Sequence, residues 1–160
     1  MNNNVNLGKI IDIEENFVTI KIDFAVLNFG NLMNVHVVFE DKNKKIVGEI
    51  IKVGVERIVV SVVGEIVNNS FIPGITSKPS FLATTRIITK EELAYILGSP
   101  QIDNSSILLG NSAIYNGYRI NVGVNDFFSN HFAILGNTGS GNTHAHNVPY
   151  IAVFTWRRTA

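Results

Sequence analysis

The chain has 160 residues, 13 basic and 13 acidic side chains, no cysteine and 46% hydrophobic residues. That length suits one domain, or a small domain with part of another, and the apolar share excludes global disorder. Zero formal charge argues against a chain that grips nucleic acid by bulk charge, and the lack of cysteine excludes disulfides, a thiolate nucleophile and thiolate zinc sites. The opening Met1-Asn2-Asn3-Asn4 is polar with no apolar run behind it, so no secretion signal is expected. The longest apolar stretch, 58–63, is broken by Ser61 and is too short to span a bilayer. A soluble, cytoplasmic protein without membrane contact is expected.

The pattern is β from Val5 to about Leu82, with Val, Ile and Phe runs separated by Gly, Asn and Asp. Strands are predicted over 5–11, 17–22, 35–39, 46–53 and 57–63; Phe17-Val18-Thr19-Ile20-Lys21-Ile22 alternates as a half-buried strand does. Asp41-Lys42-Asn43-Lys44-Lys45 reads as an exposed hairpin tip. Five or six short strands within 1–82, bent at Gly30, Gly48, Gly54, Gly64 and Gly74, predict a small closed barrel, because closure removes exposed edges. Phe71-Ile72-Pro73-Gly74 and Lys78-Pro79 end it in a turn-rich stretch. A connecting segment, 83–130, follows. After residues 84–88, Thr89 and Glu92 form a capping box for a helix over 90–97, with Gly98 past its end and Pro100 forbidding continuation. Ile107-Leu108-Leu109-Gly110 and residues 118–124 predict two more strands, with a turn at Asn116-Gly117.

Chemistry concentrates in 131–143, His131-Phe132-Ala133-Ile134-Leu135-Gly136-Asn137-Thr138-Gly139-Ser140-Gly141-Asn142-Thr143. A short apolar strand runs into Gly-x-x-x-x-Gly, the pattern whose glycines let the backbone curl so that successive N–H groups point at a phosphate. In the ATPase form a lysine follows the second glycine and meets the β- and γ-phosphates, and the next Ser or Thr holds Mg²⁺. Thr143 stands at the metal position, but Asn142 takes the place of the lysine. An amide brings no positive charge. The loss is on the order of 3–4 kcal/mol, by analogy with removing one preorganised donor.

The 131–141 segment resembles the loop of HerA-type ATPases, hexameric DNA translocases of the HerA/FtsK superfamily. The preceding barrel is similar to the HAS barrel that this family places before its motor. The resemblance covers about residues 5–143 and implies a mainly β fold: a HAS-barrel-like domain, then the truncated beginning of a P-loop α/β ATPase domain. It implies Mg-ATP bound by Gly136, Asn137, Thr138, Gly139, Ser140, Gly141, Asn142 and Thr143, with Thr143 on the metal. It further implies a homo-hexamer around duplex DNA, contacted through a motor region beyond this segment, and a nuclease or other effector partner. The barrel would serve assembly and docking. No catalytic residue is assigned.

Residues 144–160 depart from the family. A long amphipathic helix is expected after the loop, yet Pro149 interrupts a stretch rich in β-branched and aromatic side chains. A change of reading frame or an artificial junction near codon 142 is expected to explain both this tail and Asn142. The family's acidic metal-holding residues and arginine finger are missing, so the chain is expected to be catalytically incompetent.

Other features read as ordinary structure. His144-x-His146 lacks a third ligand nearby; His36 and His131 are expected as strand residues; Glu91 and Glu92 serve the helix start. Ser105, Ser106 and Ser112 have no arranged base, Arg157-Arg158 is a solvated tail, and the Asn-x-Ser sites at Asn68 and Asn104 carry little weight without an export signal. The rival functional reading is a stand-alone barrel module for oligomerisation or partner binding, without a nucleotide role.

Overall fold

The computed structural model describes residues 6–22, 30–75, 77–101 and 104–129, and the backbone of 132–134 and 152–154. The chain is mainly β and is built on a curled half-barrel sheet. Seven strands form it: β1 (Gly8–Glu14), β2 (Phe17–Ile22), β3 (His36–Asp41), β4 (Lys44–Val53), β5 (Arg57–Val67), β6 (Ser70–Pro73) and β7 (Thr84–Ile87). They run β1-β2-β5-β4-β3-β7, with β6 beside the far half of β5, and every pairing is antiparallel.

The two ends of this path meet. Asn6 bridges Arg86, the Leu7 N–H donates to the Thr85 carbonyl at 2.9 Å, and the Thr85 hydroxyl donates to the Gly8 carbonyl at 2.7 Å. Where the sequence predicted a closed barrel, the sheet is a curled half-barrel whose seam is joined by one bridge rather than a full ladder. Curling is helped by bulges in β4 against β5, between Val47 and Gly48 and between Ile50 and Lys52. At Gly48 the strands come so close that a Cβ would run into Val60 Cγ1 and stand 2.9 Å from the Ser61 carbonyl oxygen. Only glycine fits there.

Alternation fixes what goes inside. Ile58, Val60 and Val62 of β5, Val18 and Ile20 of β2, and Val37 and Phe39 of β3 join Leu7, Ile10, Ile46 and Ile50 in the inner core. Strand β3 is buried on both faces, since Val38 points outward beneath helix α1 (Lys90–Leu97) with Val47, Ile66, Ile88, Leu93 and Tyr118. A strand buried twice reads as an unbroken apolar run, as Val37-Val38-Phe39 does.

Helix α1 keeps its predicted bounds and its capping box: the Glu92 N–H donates to Thr89 Oγ1 and the Thr89 N–H to Glu92 Oε2. Strands β8 (Ser106–Asn111) and β9 (Arg119–Gly123) form a separate hairpin, with Gly117 at φ 73° in the Asn116-Gly117 turn. A short helix, α2 (Val124–Ser129), follows where the sequence predicted only the end of a strand. Strand β10 (Phe132–Ile134) pairs antiparallel with β11 (Ala152–Phe154).

Two differences from the sequence reading have local causes. Of the stretch 71–74, expected as turn, residues 71–73 belong to strand β6, because Asn68 and Asn69 both adopt positive φ, 50° and 60°, and pair Val67 with Ser70 across a two-residue hairpin. Pro73 sits at the end of this edge strand, where a missing N–H costs little. The sheet also extends past Leu82 by taking in β7 beyond the prolines. No helix among the described residues is long and apolar enough to cross a membrane.

Candidate functional site

The nucleotide-loop residues Gly136, Asn137, Thr138, Gly139, Ser140, Gly141, Asn142 and Thr143 lie outside the described residues, as do His131, His144, His146, Arg157 and Arg158. The strand leading toward that loop is described, as β10. No group of three or more histidine, aspartate or glutamate side chains converges as a metal site among the described residues. The described residues do bring together two junctions that fasten later segments to the sheet.

The first is a charged cluster between β3, β4, β7 and α1. Arg86, buried on β7, forks onto Glu92 of α1 through Nη1–Oε2 at 2.7 Å and Nη2–Oε1 at 2.8 Å. Its Nη2 also donates to Glu40 Oε1 at 2.5 Å, and Lys45 Nζ meets Glu92 Oε1 at 2.8 Å. Burial opposes ionisation of Glu92, but donation from Arg86, Lys45 and the Thr89 N–H outweighs it and holds the carboxyl at about 2. Arg86 is raised above its ordinary value, chiefly by its hydrogen bond to Glu92. A cavity of about 530 Å³ opens beside the cluster, lined also by Asn43, Asn68, Asn69 and Tyr95. Two cations and two carboxylates neutralise each other here, and the oxygens of Glu92 are taken up by donors on the chain itself. The cluster clamps helix to sheet. It leaves Glu92 little capacity for a ligand.

The second junction ties the β8–β9 hairpin down. The Tyr115 hydroxyl accepts the His36 N–H at 2.7 Å and lies 2.7 Å from His36 Nδ1, with the rings stacked at 6.0 Å. Burial pushes the Tyr115 hydroxyl up to about 12 and lowers His36, whose cross-strand partner Glu49 acts in the raising direction. Three residues on, the Tyr118 hydroxyl donates to the Gly98 carbonyl at 2.6 Å, capping the end of α1. Asn121 Nδ2 adds bonds to the Ser99 and Gln101 carbonyls at 3.1 and 3.3 Å.

Several residues weighed in the sequence find structural employment. Ser112 Oγ accepts the N–H groups of Ile114 and Tyr115, shaping the turn that presents Tyr115. Glu92 is the capping residue expected, and also the acceptor for Arg86. Lys45 was read as part of a solvated tip, yet it turns to Glu92. The sequence reading missed Arg86 and Tyr115. The signal for Arg86 was a lone cation between two threonines and two isoleucines over 84–88; for Tyr115, 79 residues from His36, the sequence holds no signal.

Set against models of known protein families and against the sequences of curated proteins, the chain matches none.

Proposed function

We propose that this chain is the N-terminal region of a HerA-like, ATP-dependent DNA translocase that works with a nuclease or other effector enzyme, and that with Asn142 in place it does not turn over ATP. One observation carries the reading: the succession along the chain of a curled β sheet, a capped helix clamped to it, a hairpin, and a strand, β10, heading for Gly136-x-x-x-x-Gly141-Asn142-Thr143. In this reading the backbone N–H groups of 136–141 take the phosphates and the Thr143 hydroxyl takes Mg²⁺. The sheet serves hexamer assembly and partner docking, and duplex DNA meets the motor region that follows the loop.

Titration of Mg-ATP into the chain and its Asn142→Lys variant, followed by calorimetry, tests this. The lysine adds a charged donor to the phosphate site, a contact of about 1.5–3 kcal/mol, so affinity should rise by about tenfold or more. Equal, undetectable binding in both forms would remove the nucleotide reading. A stand-alone β module is favoured by one fact: among the described side chains, both apolar cores are assembled from residues between Leu7 and Ile120, upstream of the loop. A stable oligomer, with no nucleotide binding by either form, would select that second reading.

A further inference from the structure

The alternation that buries Ile10, Ile20 and Ile58 sends Lys9, Lys21 and Arg57 to the outer face of the sheet. The register sets them in one row: Lys9 opposite Lys21 on β2, and Lys21 opposite Arg57 on β5. All three are exposed, and like charges directly opposed across strands repel. Lys52 adds a fourth cation, opposite Val59 and so diagonal to Arg57. Among the described residues, none of the four lies within ion-pair distance of a carboxylate. Asp12, opposite Thr19, and Glu56, beside Arg57, are the carboxylates described on this strip. Four cations thus meet two acids, which leaves an excess of positive charge in a chain with 13 charges of each sign.

Lys21, Lys52 and Arg57 line an open groove of about 920 Å³ together with Thr19, Val59, Ile11 and Val55; one carboxylate, Glu56, also lines it. Ile11, thrown out at the bulge between Ile10 and Asp12, is 49% exposed, and Val55 is 81% exposed. Cations and bare aliphatic side chains thus share one concave strip.

We propose that this face docks an acidic, aliphatic-bearing extended segment of a partner protein. Its carboxylates lie over the Lys9–Lys21–Arg57 row and Lys52, and its aliphatic side chains cover Ile11 and Val55. Among the described residues the groove offers no aromatic side chain on which a base could stack, which disfavours single-stranded nucleic acid. A recess between a strand bulge and the 54–57 turn suits a narrow chain better than a flat anionic bilayer. The inference uses β1, β2, β4 and β5 alone and holds whether or not the 136–143 loop binds nucleotide.

Fluorescence anisotropy with a short labelled peptide alternating glutamate and leucine tests it. The peptide should bind at low salt and weaken about tenfold or more between about 50 and 200 mM salt. The Lys21→Ser/Lys52→Ser/Arg57→Ser variant should lose binding about tenfold or more. The Lys44→Ser/Lys78→Ser variant, altered at exposed lysines outside the groove, should match the parent. Should the triple variant misfold by circular dichroism, the parent with a lysine–leucine peptide decides, since that peptide must fail to bind. Equal binding by parent and folded triple variant, absence of peptide binding, or tighter binding to single-stranded DNA or phosphatidylserine vesicles would each overturn the proposal.

Discussion

Arg86 on β7 and Glu92 on α1 face each other as a two-pronged pair, 2.7 and 2.8 Å apart, both buried. Glu92 is also the third residue of the helix and half of its capping box. One carboxylate therefore starts the helix and fixes it to the sheet.

Breaking this pair on one side should be worse than removing both partners. Arg86→Met leaves Glu92 with the Thr89 N–H and the half-exposed Lys45, and should cost about 3–5 kcal/mol in urea unfolding. Arg86→Met/Glu92→Leu removes the uncompensated charge and should recover part of that loss, although the cap is gone. If the double variant is the less stable of the two, the pair is not a coupled clamp.

His36, Glu92 and Tyr115 each give stability a pH signature. His36 is held below its ordinary 6.5 by burial, so the unfolded chain takes the proton first and stability falls as pH drops below 6.5 through the lower folded value. Glu92 sits at about 2 rather than 4.5, so its contribution is full above 4.5 and fades as pH falls toward 2. Tyr115 is raised from 10 to about 12, so its contribution is full below 10 and is lost as pH rises toward 12. Urea midpoints against pH should break in these three windows. Tyr115→Phe should shrink the alkaline break to what Tyr118, also raised by burial, contributes, change the one beginning near 6.5, and cost about 1–3 kcal/mol by leaving the His36 N–H without its acceptor. A parent midpoint that is flat from about pH 8 to 5 would contradict the His36 assignment.

What could be read from the sequence was what is decided over a few residues. The capping box needs only Thr89 and Glu92, and β2 only the alternation over Phe17 to Ile22, so both emerge with their bounds intact. The hairpin into β6 is equally local, but its Asn68-Asn69 turn lacks glycine and Pro73 lies close behind, so it read as loop. The clamp brings Lys45 to Glu92 across 47 residues, and Tyr115 reaches His36 across 79. Such contacts follow from sheet order, which no single stretch encodes. The loop at 136–143 is the reverse case, a motif read from spacing and lying outside the described residues.

The Asn68-Asn69 turn makes a separable prediction. Both residues sit at positive φ, which glycine adopts freely and β-branched residues resist. Asn69→Gly should leave stability within about 0.5 kcal/mol of the parent, whereas Asn69→Val should lower it by about 1–2 kcal/mol. Hydrogen exchange should report the loss first at the Ser70–Pro73 strand. Equal stability of the two variants would mean that turn does not hold β6 in register.

Gly48 tests the curl itself. Its missing Cβ is what lets β4 approach Val60 and Ser61 of β5, beside a bulge. Gly48→Ala forces backbone or core to move and should cost about 1–3 kcal/mol. Gly74→Ala, with open space around it but φ at 103°, should cost through backbone strain alone. The two differ in remedy: Gly48→Ala should be partly rescued by Val60→Ala, which removes the atom in the way, while Gly74→Ala should not.

The tail offers the last test. Strand β11 pairs with β10, Phe132 opposite Phe154 and Ile134 opposite Ala152, yet among the described side chains neither apolar core draws on one beyond Ile120. Ending the chain after Thr143 should therefore move the urea midpoint of the half-barrel by no more than about 0.5 kcal/mol in free energy. A tail joined by a frame change has no part in the core and should behave this way. The same origin requires that the gene, read in another frame from codon 142, give lysine followed by a hydroxyl residue and an amphipathic helical pattern. A large loss of stability on truncation, together with no lysine in either alternative frame, would make the tail native and Asn142 the residue this loop is built with.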